Sequence, residues 1–209
     1  MALTKPYSKD TPSTVTLDDG SVRDVPERMT VEEFEAFPWP FPSGWELIQE
    51  TPTLAPKPRR DHQRLMRVLA NFIEASLQDR TTLSVDVDVD VVLPGGRSYV
   101  APDVVVVDDK LEKGAAGPIQ SLPLLVAEIT SPGSAPNDMG PKRDAYAEAG
   151  VPEYWVVDPQ TGAVALHVSP GDGFYQQPPA DPDGYVTSPL LGVTFRVSRE
   201  GNRFTVLRR

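Results

Sequence analysis

Hydrophobic positions along the chain change their period several times, and each change predicts an element. Val31, Phe34 and Phe37 follow a Thr30/Glu33 capping pair and precede Pro38, Pro40 and Pro42, which predicts a short entry helix. GWELIQ at 44–49 alternates as a strand does, and TPTLAP at 51–56 reads as its hairpin return, stopped by Pro56 and Pro58. Between Arg59 and Leu77, the residues Leu65, Leu69, Phe72, Ile73 and Leu77 recur at helical spacing, giving the longest amphipathic helix, with His62 on its inward stripe. The run TTLSVDVDVDVVLP at 81–94 then switches to period two, with Val85, Val87, Val89 and Val91 on one face and Asp86, Asp88 and Asp90 on the other.

YVAPDVVVVD at 99–108 and LPLLVAEIT at 122–130 are apolar almost throughout, as central strands buried on both faces are. A second helix carries Lys142, Tyr146 and Ala149 and stops at Gly150. PEYWVVDP at 152–159 is another buried strand, and AVALHV, GFYQQ, YVTSP, VTFRV and FTVL are short strands set apart by Gly, Pro and Asp. The order is therefore helix, three strands, helix, strand, then a β-rich C-terminal extension. That is an α/β (α+β) domain with a mixed sheet flanked by two helices. Residues 1–28 are polar and rich in Pro, Thr and Asp, so they read as a disordered tail, leaving 29–209 as one domain.

Composition narrows the chemistry. The 209 residues are 39% apolar, enough for one substantial core. No cysteine is present, which excludes disulfides, thiolate zinc sites and a cysteine nucleophile, and only His62 and His167 supply imidazole. His167 has no acid at ligand spacing in its alternating strand and is given no role. The first thirty residues hold no apolar core of signal-peptide length, and no later run approaches the roughly 18 residues of a membrane span. The expectation is a cytoplasmic protein with no membrane partner. A net charge of −10 argues against a surface broadly adhesive to polyphosphate. It leaves room for a local basic groove, and part of the acidity is discounted if carboxylates converge on a divalent cation.

Two acids stand out because of where they lie. Asp103 opens the apolar run Val104–Val107, and Glu128 lies near the end of another apolar strand between Ala127 and Ile129. A buried lone charge is costly, and two carboxylates converging from neighbouring strands repel unless protonated or bridged by a cation. Oxygen ligands of this kind suit Mg²⁺, Mn²⁺ or Ca²⁺. The row Asp86, Asp88 and Asp90 needs no such account, because a solvated polar face on a half-buried strand explains it. Trp155 and Tyr154 read as core or rim aromatics.

The chain also resembles the Uma-type restriction endonuclease family of the PD-(D/E)XK nuclease superfamily, from about residue 45 to 197. The resemblance is carried by WELI at 45–48, Pro56 with His62, PDVVVV at 102–107, LLVAEITSP at 124–132, and Asp138, Lys142 and Tyr146 ahead of GVPEYWVVDP at 150–159. It implies a restriction-endonuclease-like core in which Asp103 and Glu128 are the metal-binding acids, Lys142 from the following helix replaces the lysine that Thr130 displaces, and Glu46 and His62 border the site. The catalytic set it implies is Asp103, Glu128, Lys142 and His62, and the metal set Asp103, Glu128 and Glu46, with Mg²⁺ (or Mn²⁺) as cofactor. The implied activity is phosphodiester hydrolysis with DNA as partner, homodimerisation being left open. The first rival is a non-catalytic nucleic-acid- or protein-binding module on the same fold, and the second a phosphodiesterase of small substrates. Two features depart from the family pattern: Gln49-Glu50-Thr51 stand where a glycine is usual, and Gly140-Pro141 precede Lys142.

Overall fold

The computed structural model describes residues 12–40, 44–55, 57–77, 79–111 and 117–209. In chain order the elements begin with β1 (Thr14–Thr16), β2 (Val22–Asp24), α1 (Val31–Ala36), β3 (Trp45–Ile48), β4 (Thr51–Leu54) and α2 (Arg60–Ser76). Next come β5 (Leu83–Val87), β6 (Val91–Val92), β7 (Tyr99–Val100), β8 (Val104–Asp108) and β9 (Leu125–Ile129). A continuous helical stretch then runs through α3 (Ala135–Asn137), a π-turn (Asp138–Lys142) and α4 (Arg143–Ala149). The chain finishes with β10 (Glu153–Val157), β11 (Val164–Val168), β12 (Val186–Ser188), β13 (Val193–Glu200) and β14 (Arg203–Arg208).

The central sheet has the order β11-β10-β9-β8-β5, parallel between β9 and β10 and antiparallel elsewhere. Period two distributes its side chains between two cores. Val104 and Val106 join Leu125, Ala127 and Ile129 against Leu65, Leu69 and Ile73 of α2. Val105 and Val107 join Val126, Tyr154 and Val156 against Ala145 and Tyr146 of α4. The predicted mixed sheet between two helices is present, and both long apolar runs are buried because each face has a helix to cover it. The β-rich end packs on the α2 side through Phe195, whose ring lies 4.7 Å from that of Trp155 and 5.0 Å from that of Phe72. Among the described residues, no helix is long and apolar enough to cross a membrane.

A second sheet, β4-β3-β7-β6, lies under the entry helix. Thr30 and Glu33 form the expected capping box of α1, which buries Val31 and Phe34 against Trp45 and Leu47. The β3–β4 hairpin turns through Gln49 (φ 49°) and Glu50 (φ 68°), the left-handed pair a two-residue hairpin requires. Neither is Gly or Asn, so this departure from the family pattern carries strain. The turn is held from outside by Arg28 and Arg97 on Glu50, and by Gln49 Nε2 donating to Glu148 at 2.9 Å.

Several sequence expectations need correction. The single strand expected over 81–94 is two, β5 in the central sheet and β6 in the second. The chain bends at Asp88, whose φ of 53° is a left-handed value that Asp tolerates better than most residues, and its N–H meets Asp103 O at 3.3 Å. The run 99–108 likewise splits into β7 and β8 on different sheets, broken at Pro102, which has no N–H for a ladder. GFYQQ contributes only the bridge Val168–Gln176. The expected tail is ordered over part of its length, because β1 and β2 pair as an antiparallel ribbon with Val15 buried. Residues 1–11 and Pro56 lie outside the described residues.

Two stability measurements check this account. Deleting residues through Arg28 removes the ribbon, Val25 packed on the α1 core and the Arg28–Glu50 pair, so denaturant unfolding should show a loss of about 1–2 kcal/mol. An unchanged midpoint would show that the ribbon is not docked. Gln49→Asn should raise stability by a few tenths of a kcal/mol, because Asn is preferred in this turn position. A fall would mean that the Glu148 contact outweighs the strain.

Candidate active site

Asp103 sits one residue before β8, where the ladder to β9 ends at Val104 opposite Ala127. Its carboxylate continues the pairing in place of a backbone carbonyl: Oδ2 accepts the Ile129 N–H at 2.6 Å. The same oxygen lies 3.0 Å from His62 Nε2, in the first turn of α2. The acid is thus fixed by a strand on one side and a helix on the other, and both of these contacts fall on Oδ2.

Glu128 points to the opposite core from Ala127 and Ile129, toward the helix that follows β9. Its Oε1 receives Lys142 Nζ and the Tyr146 hydroxyl, each at 2.9 Å. Lys142 Nζ also lies 2.8 Å from Glu46 Oε1, and that oxygen accepts the Ala101 N–H at 2.9 Å. The ammonium is buried with its two acids, at side-chain exposures of 6% for Lys142 and 5% for each glutamate. Lys142 reaches the site because the helix does not start at Pro141. It starts at Ala135, and the proline falls inside the π-turn, where the register of backbone bonding is already shifted.

The charge balance of this group is unequal. Burial lifts the Glu128 carboxyl well above its ordinary value, Lys142 opposes that, and Asp103, Asp138 and Glu46 add to it by repulsion. Asp138 is pushed up to about 7, chiefly by burial and in part by Glu46 and Asp103. Burial alone would lower Lys142, yet Glu128, Glu46 and Asp138 outweigh it and hold the ammonium charged. Burial also raises the Tyr146 hydroxyl, keeping it a donor to Glu128. Burial and mutual repulsion therefore raise these acids, and Lys142 offsets that only in part.

Apart from Tyr146, which stands behind Glu128, these groups line one cleft of about 770 Å³, walled also by Met66, Ser131, Ser134 and Asn137. All five residues expected at the site, Glu46, His62, Asp103, Glu128 and Lys142, line it. Glu46, expected as a metal ligand, has Oε1 engaged by Lys142 and the Ala101 N–H. Sequence reasoning missed Asp138, whose buried Oδ2 has no hydrogen-bond partner among the described residues. It also missed the part played by Tyr146. The signal was present, since Asp138, Lys142 and Tyr146 stand at i, i+4 and i+8 and share one helix face. Asp88 and Asp90, taken for a solvated strand face, are exposed but rim this cleft because the chain bends at Asp88. His167 is buried with its ring 5.7 Å from that of Tyr154, outside the cleft lining.

Residues suited to a divalent metal are present in a particular sense. Among the described residues, no three acidic or imidazole groups form a ready-made cage. Mg²⁺ rarely uses one, however, and is usually held by one or two carboxylates with water and substrate phosphates completing its shell. Asp103 and Glu128 each engage the protein through a single oxygen, and the orphaned Asp138 Oδ2 adds another unengaged carboxylate oxygen, so these are the residues that could hold a cation.

Comparison with known proteins agrees with the fold and the residue pattern. No curated protein matches the chain. A crystal structure described as a putative nuclease belonging to DUF820, from Anabaena variabilis, superposes with a TM-score of 0.63 at 19% identity, over 78% of this chain and 91% of that one. At that identity the likeness speaks for the fold. Residues 31–199 match the family described as Uma2, putative restriction endonuclease, and take in every element of the cleft, so the chain belongs to the Uma2 family.

Proposed function

We propose that this protein is a divalent-metal-dependent endonuclease that hydrolyses phosphodiester bonds in DNA. The observation that supports this reading best is the buried Lys142 shared by Glu46 and Glu128, in a cleft that also holds Asp103. A buried ion triad is weak evidence for stability, because apolar residues of similar volume often serve as well. Its position beside an unsatisfied acid on the lining of a cleft is better explained by chemistry.

Asp103 and Glu128 are the residues that would hold the metal, which when bound supplies Lewis-acid activation of the phosphoryl group and of the attacking water. The remaining residues divide the work. Lys142 carries a fixed positive charge at the cleft and stabilises negative charge that develops on the phosphoryl oxygens. Glu46 is a positioning residue that holds the lysine through Oε1. Tyr146, one turn beyond Lys142 on the same helix face, orients Glu128, and His62 Nε2 orients Asp103. Backbone N–H groups of Ile129 and Ala101 fix an acid at each end of the group.

Nicking of supercoiled plasmid in Mg²⁺ or Mn²⁺ tests the reading. Asp103→Asn and Glu128→Gln should each lose at least about 100-fold in rate, and His62→Ala about 10-fold. Lys142→Met should lose turnover as Glu128→Gln does, and Lys142→Arg should rescue poorly, because a planar guanidinium does not reproduce a compact ammonium between two carboxylates. Thermal stabilisation by Mn²⁺ should be kept or increased in Lys142→Met, since a cation beside the ion is repulsive. Full cleavage by Lys142→Met, in a preparation where Glu128→Gln is inactive, would remove the lysine from the mechanism. No cleavage of any nucleic acid by folded wild-type protein would leave a binding module on a nuclease fold.

A further inference from the structure

In a chain of net charge −10, the stretch Lys57–Arg67 gathers five of the 20 basic residues and one of the 30 acids. It enters and begins α2, the helix that brings His62 to Asp103. Lys57, His62, Gln63 and Met66 line the cleft. Arg59 caps α2, and Gln63 and Arg67 follow at i and i+4 on one face of it, so the three form a row whose middle member, Gln63, lies on the cleft wall. Arg60 stands beside that row.

Clustering without acidic partners sets these cations apart, whereas Arg23, Arg80, Lys110 and Arg203 are exposed and outside any ion pair among the described residues but stand singly in the sequence. Lys57, Arg59, Arg60 and Arg67 are exposed, and none meets an acid among the described residues. Arg64, off the row, lies 4.0 Å from Asp61, which is shared with Arg199 at 3.0 Å. Several other basic residues sit among acids. Arg97 sits between Glu50 and Glu148, Arg143 meets Asp144, and Arg209 meets Asp181 and Asp183. A group of like charges left unpaired in a protein rich in spare acids is costly to the free chain, and an anionic ligand relieves it.

The dimensions fit a polyanion with a regular repeat. Arg59 to Arg67 spans eight helical rises, about 12 Å. That is the axial length of three to four phosphates on one strand, at about 3.4 Å each. The row runs past the cleft that holds Asp103 and Glu128, while Asp88 and Asp90 are exposed elsewhere on its lining and repel the same ligand. Resting on the nuclease reading of that cleft, we infer that the row Lys57, Arg59, Arg60 and Arg67 seats the phosphate backbone of the nucleic acid, with Gln63 as an uncharged donor between the arginines. This surface reconciles an acidic protein with an acidic substrate: contact is confined to one lip, and the rest of the chain repels.

The test separates binding from cutting. Fluorescence anisotropy of a labelled DNA duplex is measured with Ca²⁺ in place of Mg²⁺, across about 50–200 mM salt. Arg59→Ala/Arg67→Ala should weaken binding at least tenfold at the low end and reduce the slope of log affinity against log salt by about 2, at about 0.9 per phosphate contact. Arg23→Ala, an exposed cation on the N-terminal ribbon, should leave both unchanged, and matching melting curves show that the variants are folded. Unchanged affinity and slope in the double variant would overturn the inference, as would wild-type protein that binds no duplex. If wild type binds through this row yet never cuts, the inference stands and the nuclease reading falls.

Discussion

The ammonium of Lys142, buried between Glu46 and Glu128, is the contact on which the rest of the site depends. The three residues of this contact come from different parts of the fold: Glu46 from the second sheet, Glu128 from the central sheet, and Lys142 from the π-turn leading into α4. Taking three charges out of water costs several kcal/mol per ion, which only close geometry and further hydrogen bonds can offset. The Tyr146 hydroxyl and the Ala101 N–H provide them. Removing the lysine alone would leave two buried carboxylates facing each other, the arrangement that costs most, about 3–5 kcal/mol. The helix, the two sheets and the cleft are therefore held in one relation by the group that also carries the cleft's positive charge.

The helix around Lys142 shows how local irregularity serves this contact. Gly140-Pro141 would end an ordinary helix, and the sequence taken alone suggests a helix that begins there. Instead the helical stretch begins six residues earlier, and the π-turn absorbs the proline. Asp138, Lys142 and Tyr146 then present one face to Glu128. Such single-turn π segments recur at functional sites because they turn a chosen side chain at small cost to the helix.

Most of the central fold was legible because its signals are periodic and local. The α2 stripe, the two apolar strands with one acid each, the capping box at Thr30 and the glycine stop at Gly150 all follow from spacing. What escaped were features set by distant contacts. Alternation over 81–94 promised one strand, but only the neighbouring sheet decides that the chain turns at Asp88 and passes to a new partner, which carries Asp88 and Asp90 to the cleft. The ribbon near the N-terminus is short and polar, so composition hid a docking held by Val15, Val25 and the Arg28–Glu50 pair. At the site, the acids on apolar strands were visible because a charge there is anomalous. Asp138 carried no such anomaly, only its spacing with Lys142 and Tyr146, because a polar residue at a helix start is ordinary until the fold buries it.

The central claim is that Asp103 and Glu128 hold one divalent cation beside Lys142. Crystals soaked in Mn²⁺, with diffraction recorded at the manganese absorption edge, test it most directly. The account predicts a single anomalous peak within bonding distance of both carboxylates, about 2.0–2.3 Å, and loss of that peak in Asp103→Asn. A peak elsewhere on the chain, or none at millimolar Mn²⁺ with the cleft open to solvent, would contradict it.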